Sequence, residues 1–252
     1  MRLELFYNPR LLIERLAVES IRRRRLEKLK HTVAYGLKIG HIDSLELLEL
    51  AKPQSPHIIY DVGANIGTWT LLAKAIIPQS KIHAFEPLKM FHDKFNQEIQ
   101  DIPDIVLHKV ALGDEPDVLN MQVTSYPDAS SLLEIGDATK DYFGIVKDRE
   151  ELVDVVCLDE YVSKFNLPLP NLIKLDIQGY ELQAMRGAEK CLNHATFIIC
   201  EVSFVEFYKG QALFSEIVSF LSDRNFMFHA LGANTPIGQK LSQTDVLFVK
   251  QS

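Results

Sequence analysis

The stretch "YDVGANIGTWT", residues 60–70, decides the fold of this chain. An apolar run ends at the acid Asp61, and Gly63 and Gly67 then frame a short polar turn. A helix-like apolar pattern begins at about Ile66. Glycine allows positive φ angles and lets the backbone approach a neighbour closely. Because ligands bind at the turn after the first strand of a doubly wound sheet, this turn predicts a ligand site.

Strand and helix patterns alternate on the C-terminal side of this stretch and predict a parallel sheet with helices on both faces. The predicted strands are 57–62, 81–85, 105–111, 172–177 and 196–202, and the predicted helices are 66–77, 88–99, 158–165, 181–192 and 214–224. Two further strands, 226–231 and 246–250, have no helix-length segment between them. They are therefore expected to pair antiparallel as a terminal hairpin.

Two regions lie outside this alternation. Helical patterns at 9–32 and 43–51, the second capped by Asp43 or Ser44, predict an N-terminal helical extension over residues 1–52. The main domain is then expected over residues 53–252. Within it, residues 113–157 form a turn-rich insertion whose strands, 118–124 and 152–157, are expected to pair antiparallel. A loop of this length is usually functional, so it is either a lid over the substrate or a plain surface loop.

The overall composition limits the classes of partner and the compartment. The 252 residues are 47% hydrophobic, enough for one large core, and the net charge of −7 disfavours nucleic acid as a partner. Cys157, Cys191 and Cys200 are too few and too widely spaced for a disulfide framework or a zinc site. We find no apolar run of about 20 residues and no signal-peptide pattern, so a cytoplasmic protein without a transmembrane segment is expected.

The acids beside the first turn suggest the chemistry of the ligand. Asp61 would repel a diphosphate, but it suits an ammonium group, and the amides that follow Asn65 suit a carboxylate. Glu86 closes the second strand, 19 residues after Gly67, where an acid accepts hydrogen bonds from ribose hydroxyls. An amino acid joined to adenosine is S-adenosylmethionine. The sequence therefore predicts this cofactor.

Five motifs in this order resemble the FkbM-type methyltransferases, a branch of the class I S-adenosylmethionine-dependent fold. They are "DVGANIG" at 61–67, "HAFEP" at 83–87, "VALGD" at 110–114, "KLDIQGYE" at 174–181 and "RGA" at 186–188. The resemblance covers about residues 57–250. It implies O-methylation of a hydroxyl on a sugar, glycan or natural product. It also implies an α/β, Rossmann-like fold with a seven-stranded, mostly parallel sheet and an antiparallel last strand.

The predicted cofactor site combines the first turn with the ends of the second and third strands. Asp61 is expected to hold the amino end of the ligand directly or through water, and Ala111 and Leu112 are expected to flank the adenine. The full predicted set is Asp61, Gly63, Ala64, Asn65, Gly67, Thr68, Glu86, Pro87, Ala111 and Leu112. Trp69, at the start of the helix, is expected mainly to pack in the core.

The predicted catalytic residues are three acids near the ends of the fourth and fifth strands. An alcohol that accepts a methyl group must lose its proton, so a carboxylate within reach assists the transfer. Asp176 is the strongest candidate for a base or an orienting group, with Glu201 and Glu181 beside it. Alternatively, Asp176 and Glu181 only cap the following helix. The three acids could together hold a divalent metal, but no spacing rule supports such a site. The sequence therefore predicts no metal.

One position departs from the pattern of the family. Where the family usually has a glutamate, this chain has Gln178. A neutral amide can bind a substrate hydroxyl, but it cannot act as a base. Any role that the family gives to the glutamate is therefore in doubt in this chain.

Two other functional classes share some of these features. A nicotinamide-dependent oxidoreductase would also place an acid at the ribose, but the glycine spacing here is not GxGxxG, and Asp61 opposes a diphosphate. A non-catalytic protein could keep a cofactor site and use its N-terminal helices for docking. The preferred prediction remains an enzyme with a small-molecule or glycan acceptor, and the N-terminal helices are a candidate surface for homo-oligomers.

Overall fold

The computed structural model describes residues 20–38, 41–237 and 240–251. Its helices are α1 (20–28), α2 (Leu45–Ala51), α3 (Thr68–Ile76), α4 (Lys89–Ile99), α5 (Asp137–Phe143), α6 (Leu158–Phe165), α7 (Glu181–Arg186), α8 (Glu189–His194) and α9 (Phe214–Ser222). Its strands are β1 (Ile58–Val62), β2 (Lys81–Phe85), β3 (Ile105–His108), β4 (Ala111–Gly113), β5 (Asp117–Thr124), β6 (Lys147–Cys157), β7 (Leu172–Leu175), β8 (Phe197–Ser203), β9 (Phe226–Ile237) and β10 (Lys240–Lys250). No helix in the described part of the chain is both long enough and apolar enough to cross a bilayer.

Seven strands form the main sheet in the order β3-β2-β1-β7-β8-β10-β9. β10 runs antiparallel to both of its neighbours, and the other pairings are parallel. This arrangement confirms the predicted class I methyltransferase sheet with its antiparallel terminal hairpin. The strand order reverses between β1 and β7, which is where open α/β sheets bind their ligands.

Both faces of the central strands are buried, as expected for a parallel sheet covered by helices. Alternate residues of β1 show this, because Tyr60 packs with α6, α7, α8 and α9, whereas Ile59 packs with α2 and α3. Residues before α2, such as Leu29 and Ile42, join the second of these cores. Residues on both sides of position 52 therefore pack in one core.

The prediction of one strand over 105–111 is wrong. β3 ends at His108, and Ala111 starts β4 in a separate three-stranded sheet of order β4-β6-β5. In that sheet Ala111 pairs with Val155 of β6. Both sides of the break are apolar, so hydrophobic pattern alone does not reveal the change of sheet. The predicted antiparallel pair of the insertion is confirmed by β5 and β6, which are longer than predicted.

The prediction of one helix over 181–192 is also wrong, because the chain breaks at Gly187 into α7 and α8. A Cβ at position 187 would lie 2.0 Å from the carbonyl oxygen of Gly113, so the backbones of α7 and β4 touch there. The side chain of Asp159 then caps α8 by accepting hydrogen bonds from the main-chain N–H groups of Lys190 and Cys191. This contact between β4 and the helix break fixes the insertion against the main sheet.

The two ends of the chain differ in detail from the predictions. Of the helix predicted over 9–32, residues 20–28 are helical, and the segment 9–19 lies outside the described residues. Arg25, from the arginine run, forms an ion pair with Glu46 of α2 at 2.7 Å and holds α1 against α2. At the C-terminal end, β9 and β10 extend beyond the predicted strands 226–231 and 246–250, because their antiparallel pairing reaches Ile237 and Lys240.

Candidate active site

A cavity of about 300 Å³ lies at the carboxyl ends of the strands, where β1 and β7 meet. Three groups of residues line it: the turn between β1 and α3, the ends of β2 and β4 together with parts of the insertion, and a set of acids from β7, β8 and β10. Cavities of this size hold small ligands. Parts of the chain that are distant in sequence therefore share one site.

The glycines of the first turn are required by packing. Gly63 has a φ of +82°, and a Cβ there would lie 1.9 Å from the carbonyl oxygen of Asp176. Gly67 has a φ of +89°, and a Cβ there would lie 3.0 Å from the ring of Phe95. Gly63 also lines the cavity, whereas Gly67 does not. The turn leaves Ala64, Asn65 and Thr68 on the cavity wall, as the set of predicted cofactor residues requires.

Asp61 lies beneath this turn and does not line the cavity. Its side chain is fully buried, and it accepts a hydrogen bond of 2.5 Å from the hydroxyl of Thr70. Its other carboxylate oxygen lies 3.3 Å from the ammonium of Lys174, its register partner on β7. Lys174 thus places a positive charge beside the carboxylate of Asp61.

Lys174, which the sequence analysis did not single out, connects the turn to the acids. Its ammonium donates a hydrogen bond of 3.0 Å to the carbonyl oxygen of Gly63 and lies 3.5 Å from Asp176. Burial alone would lower the pKa of Lys174, but the carboxylates of Asp176, Asp61 and Asp245 outweigh burial and raise it. The side chain is therefore charged throughout the physiological range. The sequence signal that could have identified this residue is a lysine in the strand that neighbours the strand of Asp61.

Glu86 lies on the opposite wall of the cavity and is 5% exposed. Its carboxylate accepts main-chain hydrogen bonds from Asn65 at 3.0 Å and from Leu88 at 2.8 Å. Burial raises the pKa of Glu86 to about 7, although these two donors act in the opposite direction. The acid is thus fixed in place by the first turn and by the start of α4.

The wall beside Glu86 is mostly apolar. Pro87, Ala111 and Leu112, which the sequence predicts to contact the cofactor, line it, and Phe91 and Met121 extend it. Such a surface suits one face of a flat aromatic ring.

The insertion contributes to the cavity beyond Met121. Asp128 lines the cavity and accepts a hydrogen bond of 3.2 Å from the side-chain amide of Asn65. The hydroxyl of Ser131 donates to the carbonyl oxygen of Gln178 at 2.7 Å. These contacts connect the segment between β5 and β6 to both sides of the cavity.

Gln178 joins the acids on the far wall. Its side-chain amide donates to Asp176 at 2.9 Å and to Glu201 at 3.1 Å, and its amide oxygen lies 2.8 Å from the hydroxyl of Tyr208. Burial, followed by the nearby carboxylates of Asp176, Asp245 and Glu181, raises the pKa of Glu201 well above its ordinary value. Asp176, Glu201 and Asp245 all line the cavity.

Glu181, the third predicted catalytic acid, does not line the cavity. One oxygen of its carboxylate accepts main-chain hydrogen bonds from Ile177 at 2.9 Å and from Gly179 at 3.1 Å. It is 4% exposed, and burial raises its pKa to about 7. In this position it shapes the turn that carries Gln178. Within the described residues, no group of three or more His, Cys, Asp or Glu side chains is arranged to hold a metal ion.

The N-terminal region also reaches the site. His41, Asp43 and Ser44 line the cavity, and the hydroxyl of Ser44 donates a hydrogen bond to Asp245 of β10. Ser44 occupies the N-cap position of α2, but its side chain makes no capping bond, so the predicted capping role is wrong for this residue. Nothing in the local sequence pattern predicts this contact, because it joins residues about 200 positions apart.

One family model and several known methyltransferases match this chain. The sequence model described as the methyltransferase FkbM domain matches residues 61–228. Methyltransferase 1 of Beauveria bassiana is 30% identical over 146 residues, which is 52% of this chain and 58% of that protein. The hexuronic acid methyltransferase AglP of Haloferax volcanii is 24% identical over 163 residues, 65% of this chain and 62% of that protein. The match thus spans about 60% of the length of these two relatives.

Other similarities are more distant. The 2-O-methyltransferase NoeI of Sinorhizobium fredii is 24% identical over 197 residues, 74% of this chain and 77% of that protein. Among solved structures, the chain is similar to magnesium protoporphyrin IX methyltransferase from Synechocystis with bound S-adenosylmethionine. That match has 11% identity and a TM-score of 0.47, and it covers 83% of this chain and 78% of that one.

Proposed function

Since this chain belongs to the FkbM methyltransferase family, we propose that it transfers a methyl group from S-adenosylmethionine to a hydroxyl of a sugar, glycan or natural product. The observation that carries the proposal is the single cavity that joins the Gly63–Thr68 turn and Glu86 to the acids Asp176 and Glu201. Two relatives support the type of acceptor, because they are named for methylation of a hexuronic acid and for 2-O-methylation.

The donor groups on the cavity wall fit the cofactor. Glu86 offers fixed carboxylate oxygens for the ribose hydroxyls, and Ala111 and Leu112 offer an apolar surface for the adenine. The N-terminal end of α3, beginning at Thr68, suits the carboxylate of the methionyl part. When bound, S-adenosylmethionine supplies an electrophilic methyl group. Asp61 acts on this site through Lys174 and Gly63 and has no contact of its own with the cavity.

Asp176 is the proposed base among the acids on the far wall. The ammonium of Lys174, at 3.5 Å, gives Asp176 an ion-pair partner, whereas burial and the nearby carboxylates raise the pKa of Glu201. Gln178 donates to both acids and so fixes their spacing. Asp176 therefore takes the proton of the acceptor hydroxyl, and Glu201 orients the acceptor. Glu181 supports the turn that carries these groups.

The proposal is tested by two measurements on the full chain. Isothermal titration should show that S-adenosylhomocysteine binds, whereas NAD does not. Transfer of a labelled methyl group to members of a glycan panel should then identify an acceptor. Binding of NAD with no binding of S-adenosylhomocysteine would favour an oxidoreductase, and cofactor binding with no transfer to any acceptor would favour a non-catalytic protein.

Further proposals concern the setting of the enzyme. The net charge of −7 supports partners other than nucleic acid, and the three free cysteines support a cytoplasmic location. In α1, the exposed side chain of Ile21 supports the N-terminal region as a surface for homo-oligomers. The predicted segment 113–157 supplies wall residues such as Asp128 to the cavity, which supports its role as a lid over the acceptor.

A further inference from the structure

Carboxylic acids line the part of the cavity where, under the proposed function, the acceptor binds. Asp43, Asp176, Glu201 and Asp245 come from four different parts of the chain. Glu201 and Asp245 are register partners on adjacent antiparallel strands, so their side chains lie on the same face of the sheet. Burial, followed by the charge of Asp176, raises the pKa of Asp245 to about 6. Four carboxyl groups from separate parts of the chain thus lie on one part of the wall.

Positive charge is scarce among the described residues of the same wall. Lys174 lines the cavity, but it is 4% exposed, and its ammonium is held by Asp61, Asp176 and the carbonyl oxygen of Gly63. His41, which is exposed at the edge of the cavity, is the other basic side chain. No arginine is among the described lining residues. A carboxylate on a ligand would find no bidentate partner of the kind that arginine provides.

A negatively charged acceptor would therefore lose its hydration without gaining a compensating ion pair, and it would be repelled by the acids. Hydroxyl groups and protonated amines would be stabilised at this wall, because both donate hydrogen bonds to carboxylate oxygens. An amine would also relieve the repulsion among the four acids.

We propose that the acceptor is a polyhydroxylated molecule without negative charge, either neutral or carrying a protonated amine, and that uronic acids are excluded. This inference rests on the proposed function, because it concerns the acceptor of the same site. It separates this chain from the relative named for a hexuronic acid, although the two share 24% identity over the matched residues. The specificity is set by Asp43 and Asp245 in addition to the acids that handle the reacting hydroxyl.

The test uses matched sugars that differ only in charge. The methyl glycosides of glucose, glucosamine and glucuronic acid, with the corresponding galactose and mannose series, are titrated into the complex of the full chain with S-adenosylhomocysteine. Binding is measured by saturation-transfer NMR, and methyl transfer is measured with labelled cofactor. We expect the neutral or amino sugar of at least one series to bind tenfold or more tightly than its uronate.

The variants D43N and D245N should reduce this difference by at least threefold, because each removes one negative charge from the wall. D137N is the matched control, since Asp137 is exposed on α5 and should leave the difference unchanged. A uronate that binds as well as its neutral partner would overturn the inference, and so would the absence of binding in all three series. Failure of the proposed function is distinguishable, because S-adenosylhomocysteine would then not bind, or no labelled methyl group would be transferred to any sugar that binds.

Discussion

The substitution K174M tests the charge network beneath the cavity. Among the described residues, Lys174 is the cation that lies between Asp61 and Asp176, at 3.3 and 3.5 Å from their carboxylates. Methionine keeps most of the volume of the side chain but removes the charge and the hydrogen bond to Gly63. Asp61, which is fully buried, would keep only the hydroxyl of Thr70 as a described partner.

Removal of one partner from a buried ion pair costs about 3–5 kcal/mol, because the remaining charge is left uncompensated. For a chain of this length, each kcal/mol lowers the melting temperature by about 3 °C. We therefore expect K174M to lower the melting temperature by about 10 °C or more, as measured by calorimetry. Urea denaturation monitored by circular dichroism gives the change in the free energy of unfolding independently.

Two further variants make this result specific. K209M removes the cation of an ion pair of 2.6 Å to Glu134 in which both side chains are more than half exposed, so its melting temperature should change little. The double variant D61N/K174M should be more stable than K174M, because the uncompensated charge is also removed. A loss below about 1 kcal/mol in K174M, or a double variant that is less stable than K174M, would refute the network as described.

Four other outcomes follow from the site. E86Q should weaken binding of S-adenosylhomocysteine by about 1.5–3 kcal/mol in isothermal titration, the usual effect of losing a charged hydrogen bond; unchanged affinity would remove Glu86 from the site. D176N should lower kcat by about 10²–10⁴ with little change in cofactor affinity, and a small loss would exclude Asp176 as the base. The raised pKa of Glu181 means that the folded protein binds this proton more tightly than the unfolded chain, so the contribution of Glu181 to stability is lost as the pH rises from about 4.5 to about 7. The difference in the free energy of unfolding between E181Q and the natural chain, measured in urea melts, should therefore shift in favour of E181Q from pH 5 to pH 8. An equal difference at both pH values would contradict this expectation. Amides of residues 125–146 should exchange faster than those of β1 and slow when acceptor is added; if acceptor has no effect, this segment is not a lid.

The sheet could be predicted from the sequence because its signals are local. Short apolar strands alternate with amphipathic helices, and the absence of a helix between β9 and β10 predicts their antiparallel pairing. The places where the prediction failed involve contacts between distant segments. The break at Gly187 depends on the carbonyl oxygen of Gly113, and the move of Ala111 into the second sheet depends on Val155 of β6.

Contacts between distant segments also limited the prediction of the site. The position of Glu86 on the cavity wall was predictable, because it follows from the end of a strand in a known topology. The burial of Asp61 was not, because it depends on Lys174, which faces it from a strand more than 100 residues later. The contact of Ser44 with Asp245 likewise joins residues near the two ends of the chain. The N-terminal contribution to the cavity therefore could not be predicted from local sequence patterns.

The most direct test of the account is a crystal structure of the chain with S-adenosylhomocysteine. We predict that the ribose hydroxyls contact the carboxylate of Glu86, that the adenine lies beside Ala111 and Leu112, and that the sulfur faces Asp176. Binding at another place on the molecule, or a ribose that makes no contact with Glu86, would contradict the assignment of this cavity as the methyl-transfer site.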